Sequence, residues 1–110
     1  MSLPPYAVVG STERFRGRVL ALRTDEVRMS DGSIAAREVI EHPGAVAVAA
    51  LDDQDRIVLV RQYRHPVSAF LEELPAGLLD VDGEPALDAA KRELAEEAGL
   101  AAEVWRTLLD

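Results

Sequence analysis

Glu93, Glu96 and Glu97 stand at i, i+3 and i+4 in the run Arg92-Glu93-Leu94-Ala95-Glu96-Glu97-Ala98-Gly99-Leu100, where a helix would crowd three carboxylates onto one face. Such neighbours have Cβ atoms about 5–6 Å apart on a helix surface. Like charges at that spacing destabilise an isolated helix, so the arrangement makes chemical sense when a hard divalent cation neutralises it. Magnesium or manganese suits the role, because both take carboxylate and carbonyl oxygens and keep coordination positions for water and phosphate. A solvated acidic face is the bland alternative, and for a generic Glu-x-x-Glu-Glu it is the commoner one.

The surrounding elements tip that balance. Gly99 suits a C′ position with positive φ, and Leu100 can pack back on the last turn. Pro85 suits the first helical position after the loop from Gly77 to Gly83. Leu87, Ala90, Leu94 and Ala98 recur at helical spacing and form an apolar stripe beside the acidic one. One side of this helix packs, and the other is free for chemistry.

Upstream, Ala45 to Leu51 reads as a buried strand, Asp52 to Asp55 as a polar turn, and Arg56 to Val60 as the hairpin partner. Their continuous apolar character points to strands covered on both faces, as in an α/β sandwich. Arg61-Gln62-Tyr63-Arg64-His65-Pro66 follows directly and sets two guanidinium forks at a sheet end, a geometry that suits bidentate phosphate binding. Glu72 to Pro75 is expected as a short strand leading into the Gly77 loop. Arg14 to Met29 reads as two antiparallel strands, and Asp31-Gly32 as a turn into a third over Ile34 to Ile40. A meander this small has one apolar face and is not stable alone, so it packs on the second half of the chain or on a second copy.

Composition is that of an ordinary globular protein: 110 residues, 48% hydrophobic and 29% charged, enough for one small domain. The longest apolar run, Ala45 to Leu51, is too short to span a bilayer, and no charged-then-apolar N-terminus suggests a signal peptide. With no cysteine, disulfides and thiolate chemistry are excluded, and a cytoplasmic location is expected. A net charge of −8 argues against nucleic acid as a partner, and would repel a polyanionic substrate unless metal ions and local arginines intervened.

From Glu84 onward the acidic segment resembles the Nudix box, Gly-x5-Glu-x7-Arg-Glu-U-x-Glu-Glu-x-Gly-U, with U aliphatic. Leu94 and Leu100 fill the aliphatic sites, and every fixed position from Glu84 matches. Six residues rather than five separate Gly77 from Glu84, a longer surface loop that costs little in closure entropy. That insertion leaves open which of Asp80, Asp82 and Gly83 fills each loop position. Arg61-Gln62-Tyr63-Arg64 followed by Pro75-Ala76-Gly77 is similar to the Arg-Gln-aromatic-Arg and Pro-Ala-Gly elements of the ADP-ribose pyrophosphatases.

The resemblance implies a Nudix α/β/α sandwich, residues 43–110 with the box at 77–100, preceded by a small antiparallel sheet over residues 1–42 that serves dimerisation. The activity it implies is metal-dependent hydrolysis of the pyrophosphate bond of a nucleoside diphosphate sugar, ADP-ribose giving AMP and ribose 5-phosphate. Glu93 and Glu97, with Glu96 and the Ala76 carbonyl assisting, would hold Mg2+ or Mn2+, and Glu96 and Glu97 would be the catalytic pair. Arg64 and Arg61 would contact substrate by side chain and Leu78 by backbone, while Arg37 would reach the substrate of a second copy in a homodimer. Arg92 is expected to orient Glu96 or Glu84 by hydrogen bonding. Glu84 is either a metal contact or a carboxylate favoured by the helix dipole. His42 and His65 read as exposed loop histidines, and Trp105 as core or interface. The rival reading is a non-catalytic Nudix-like module that binds a nucleotide sugar as a sensor or regulator.

In that family the fold continues past the box helix, with further strands and a loop that often carries a catalytic glutamate, whereas this sequence ends at Trp105 to Asp110. The expectation is therefore a longer biological protein, a general base beyond residue 110, and apolar faces at Ala45–Leu51 and Ile57–Val60 that these residues alone leave open. Purified by itself, the 110-residue piece is expected to aggregate or to hydrolyse ADP-ribose feebly. Full activity from a verified 110-residue chain would overturn this.

Overall fold

The computed structural model describes residues 5–110; the first four positions of the expected N-terminal region lie outside them. Two compact units divide the chain, Met1–Pro43 and Gly44–Asp110.

In the first unit, β1 (Val8–Arg16), β2 (Ala21–Arg28) and β3 (Ile34–Glu41) form an antiparallel sheet in the order β1-β2-β3. β1 begins earlier than the sequence reading placed it, and the stretch from Arg14 to Met29 holds only its end, a turn and β2. The turn is closed by the Gly17 N–H donating to the Leu20 carbonyl at 2.8 Å, and its lone glycine among arginines is a weak punctuation signal. The second turn falls where Asp31-Gly32 predicted it. Gly32 has φ 87°, and the Asp31 carboxylate accepts the Ser33 N–H at 2.9 Å. Phe15, Leu22 and Ile40 line up across the three strands, yet Phe15 and Ile40 are exposed. Burial instead falls on Ala21 and Asp25. Asp25 accepts the Ser11 hydroxyl at 2.8 Å and Arg23 Nε at 3.1 Å, and Arg23 also pairs with Glu41.

In the second unit, β4 (Ala45–Ala47) pairs with β7 (Ala76–Leu78), while β5 (Val60–Arg64) and β6 (Ala69–Glu73) make a hairpin. The apolar run from Ala45 to Leu51 is thus a strand for only three residues. Beyond it, a bridge at Leu51–Ile57 and the Val58 N–H to the Ala50 carbonyl at 2.9 Å outline a loose hairpin. Val48 is buried, whereas Leu51, Ile57 and Leu59 are exposed, so continuous hydrophobicity did not make a continuous strand where the partner strand is three residues long. Arg61 to Arg64 lie within β5 rather than past a sheet end. Their hairpin turns through a short 3-10 segment, His65–Val67, capped by Ser68 at φ 51°.

The helix α1 runs from Ala86 to Ala98. Pro85 is its N-cap with ψ 149°, one position earlier than expected, and its carbonyl takes the Ala89 N–H at 3.1 Å. Gly99 ends the helix at φ 66°, donating to the Ala95 carbonyl at 3.0 Å, the left-handed closure that glycine accepts without steric cost. Ala89 and Leu94 are the buried residues, whereas Leu87 is exposed. Leu94 holds the centre of the stripe read in sequence, with Ala90 and Ala98 half-buried, and the packing of α1 on β7 and β4 shifts the buried face towards Ala89 and away from Leu87. Strands and a packed helix give the α/β character expected; among the described residues α1 is the single α-helix, so a second helical layer is not formed by them. No helix among the described residues is long and apolar enough to cross a membrane.

The Ser11 hydroxyl first, and Arg23 after it, hold the Asp25 carboxyl below its ordinary value of 3.8. A group depressed in this way adds stability that is present above the unfolded value and lost as pH falls towards the folded one. Asp25→Asn is therefore expected to lower the melting temperature at neutral pH and to flatten the loss of stability below about pH 4. Melting curves at pH 7 and in mild acid check this, and parallel acid limbs for variant and parent would contradict it.

Candidate active site

Glu93 and Glu97 lie one helical turn apart on the side of α1 that meets β7. Glu97 Oε2 accepts the Ala76 N–H at 3.0 Å, and its Oε1 accepts Gln62 Nε2 at 3.3 Å. The Glu93 carboxyl presses on the next residue, so that a Cβ added at Gly77 would overlap it. Gly77 does not have positive φ, and its glycine is needed for close approach.

The β4–β7 ladder sets which backbone groups of β7 face away from β4. Flanking bonds run from the Leu79 N–H to the Gly44 carbonyl at 2.7 Å and from the Val48 N–H to the Pro75 carbonyl at 2.8 Å. In an antiparallel pair, hydrogen-bonded and non-bonded positions alternate, so Ala76 and Leu78 turn their backbone groups away from β4. The Ala76 N–H is taken by Glu97 on that side. Both residues expected to act through their backbone therefore occupy the outward register.

Glu96 does not join this cluster. Its side chain is 58% exposed and bonds Arg92 Nη1 at 3.3 Å. Arg92 forks onto Glu84, with Nη2 to Oε1 at 3.0 Å and Nε to Oε2 at 3.2 Å, and Nη1 also reaches Glu93 at 2.9 Å. Among the described residues no three acidic, histidine or cysteine side chains converge into a preformed cage. The like-charge crowding read in the sequence is eased by a guanidinium that bonds both Glu93 and Glu96, while Glu97 bonds the backbone of β7. Glu84 and Glu96 are both bonded by Arg92, the residue expected to orient one or the other. The Arg92 hydrogen bond holds the Glu84 carboxyl low, and Glu84 foremost keeps Arg92 firmly protonated.

The hairpin sorts the other basic residues by strand parity. Gln62 and Arg64 share one face of β5, and Arg61 and Tyr63 take the other. Arg64 donates Nε and Nη2 to Glu73 at 2.6–3.1 Å, and this pairing raises the guanidinium pKa, with a smaller contribution from the charge of Glu97. Arg61 lies over the Phe70 ring at 5.1 Å from its centroid, beside a Tyr63–Phe70 pair at 5.5 Å. It is not brought together with Arg64 and Glu97. Arg37 belongs to the first unit, on β3, where its guanidinium donates to the Ala36 carbonyl at 3.0 Å. His65 meets the Tyr63 hydroxyl at 3.3 Å and His42 the Pro43 carbonyl at 2.7 Å, both exposed, while Trp105 is half-buried with Nε1 on the Ala102 carbonyl at 3.1 Å.

Sequence reasoning missed Gln62 and Glu73 as partners of site residues. The two-residue period linking Gln62 to Arg64 was available; the Glu73 contact depends on the shape of the hairpin. The donors Glu93, Glu97 and Ala76 are all hard oxygens, the set that magnesium and manganese prefer, and the glycine cradle under Glu93 holds one of them against the strand. Gly77→Ala should dislodge Glu93 while leaving the helix folded, and in the full-length protein is expected to weaken Mn2+ binding by about ten-fold or more. Titration with Mn2+, with circular dichroism as a folding control, tests this, and unchanged affinity would contradict the cradle.

Residues 41–109 match the family model described as NUDIX domain. The chain is 51% identical over 105 residues to the ADP-ribose pyrophosphatase of Mycobacterium tuberculosis, covering 96% of this chain and 51% of that protein. It is 42% identical over 95 residues to the methanol dehydrogenase activator of Bacillus methanolicus, covering 86% of this chain and 51% of the relative. A crystal structure described as an ADP compounds hydrolase superposes with a TM-score of 0.78 at 27% identity, over 94% of this chain and 56% of that one. The chain spans about half the length of the curated relatives it matches. A helix that sets glutamates on a glycine-bearing strand, and a domain match covering most of the sequence, lead to one conclusion: the chain belongs to the Nudix family.

Proposed function

We propose that this chain carries the metal-binding half of a pyrophosphohydrolase acting on nucleoside diphosphate sugars, with ADP-ribose the substrate and AMP and ribose 5-phosphate the products. The observation that carries this reading is the meeting of Glu93 and Glu97 with Ala76 and Gly77 on β7, with Gln62, the partner of Glu97, on the face of β5 that also carries Arg64. Anionic ligands for a cation and a cation for an anionic substrate then border one region. A diphosphate requires both, because its phosphorus is shielded by negative oxygens.

A bound divalent cation, Mg2+ or Mn2+, would neutralise phosphate charge and make water a better nucleophile at neutral pH. The chain's own residues do the positioning. Glu93 and Glu97, with the outward-facing Ala76 carbonyl, are the residues that would hold the ion. Glu73 grips the Nε–Nη2 edge of Arg64 and leaves Nη1 for a phosphate oxygen. Arg92 binds Glu84, Glu93 and Glu96 and offsets part of their charge, the remainder being left for the cation to neutralise. Glu96, exposed and bonded to Arg92, is the other member of the catalytic pair that the family resemblance implies. ADP-ribose is favoured by the similarity to the mycobacterial ADP-ribose pyrophosphatase and to the ADP compounds hydrolase. A cytoplasmic homodimer in which Arg37 completes the site of a second copy belongs to the same reading.

The relative named as a methanol dehydrogenase activator keeps a second reading in view, a regulator that binds a nucleotide sugar without turnover. Incubating the full-length protein with ADP-ribose and magnesium separates the two. AMP should appear, and Glu97→Gln should lower kcat by at least about a hundred-fold with its circular dichroism unchanged, since even partners of metal ligands are worth 10–100-fold. Tight binding without AMP would favour the regulator, and undiminished turnover by Glu97→Gln would remove that residue from the ligand set.

A further inference from the structure

We propose that Gln62 is a positioning residue for Glu97: its side-chain amide holds the carboxylate in the orientation from which it ligates the divalent cation, an inference that rests on the metal-dependent reading above. Gln62 is half-buried on β5, and its Nε2 reaches Glu97 Oε1 at 3.3 Å across 35 residues of chain. The other oxygen, Oε2, is held by the Ala76 N–H at 3.0 Å. One donor at each oxygen fixes both the direction and the plane of the carboxylate. An ionised carboxylate offers about four lone-pair sites, so two remain for a metal ion. Because that carboxylate only accepts, the Gln62 amide must present its NH2 group and not its carbonyl.

The chemistry of the donor matters as much as its place. Glu93 is tied to the Arg92 guanidinium at 2.9 Å, and part of its charge is already answered. Among the described residues Glu97 forms no ion pair within 4.0 Å, and both its partners are neutral amides. A lysine or arginine in place of Gln62 would compete with the metal ion, and an aspartate would repel Glu97. A neutral donor orients Glu97 without consuming its charge. Strand parity gives Gln62 this role and denies it to Arg61 and Tyr63, whose side chains lie on the face that carries Phe70.

The test is Mn2+ binding, followed by electron paramagnetic resonance of the free ion, for the full-length protein and for Gln62→Ala, Gln62→Met and Glu97→Gln without substrate. Both Gln62 variants should bind Mn2+ about ten-fold more weakly, the range found for partners of metal ligands, with melting temperatures unmoved. The magnesium concentration for half-maximal ADP-ribose turnover should rise by the same factor, and saturating magnesium should restore most of kcat. Methionine keeps the bulk of glutamine without its donor, so wild-type affinity in Gln62→Met would mean that Gln62 only packs, and the proposal would fall. If Glu97→Gln alone weakens binding, the inference fails while the metal-dependent reading stands. If Glu97→Gln binds as the parent does, or the parent binds no Mn2+, both fail together.

Discussion

Leu94 and Ala89 bury themselves where α1 rests on β7 and β4, and that apolar contact carries Glu93 and Glu97 onto Gly77 and Ala76. The helix could not come so close to a strand bearing side chains. Gly77 removes the obstruction, and the outward-facing N–H of Ala76 gives the approaching carboxylate a partner. Burying a carboxylate against backbone is costly unless its oxygens are bonded. Glu97 is bonded at both, and Glu93 at one by Arg92. Close packing and polar satisfaction are here one contact.

Charge is distributed with equal economy. Arg92 is shared by Glu84, Glu93 and Glu96, so one guanidinium ties the residue before the helix cap to two successive turns of α1. Arg64 and Glu73 do the same for the hairpin. Glu97 takes part in neither set of ion pairs. It is held instead by two neutral donors, the Gln62 amide and the Ala76 N–H.

The first unit follows different rules. Its most buried residues are Ala21 and Asp25, the latter bonded by Ser11 and Arg23, while Phe15 and Ile40 stay exposed on the other face. Such a sheet owes its register to turns and charge pairs as much as to hydrophobic burial, and the alternation in Arg14 to Met29 was correspondingly hard to read. In the second unit, similarly, the seven apolar residues from Ala45 to Leu51 contained no signal that only three would pair, because strand length was set by the partner β7.

Local chemistry wrote much of this protein into its sequence. The helix with its proline start and glycine end, the Asp31-Gly32 turn, and the family membership carried by Arg92 to Leu100 all depend on residues near one another in the chain, where spacing alone sets geometry. The clustering of the glutamates was legible as well, but not its resolution: whether a metal ion or Arg92 answers each charge depends on how far a guanidinium reaches in the folded helix. Tertiary structure alone decided that Glu93 and Glu97 turn to β7 while Glu96 does not, that Arg64 faces Glu73 and Arg61 faces Phe70, and that Gln62 meets Glu97. Each of these is a contact between segments whose separation in sequence carries no distance until the helix has packed on the strand.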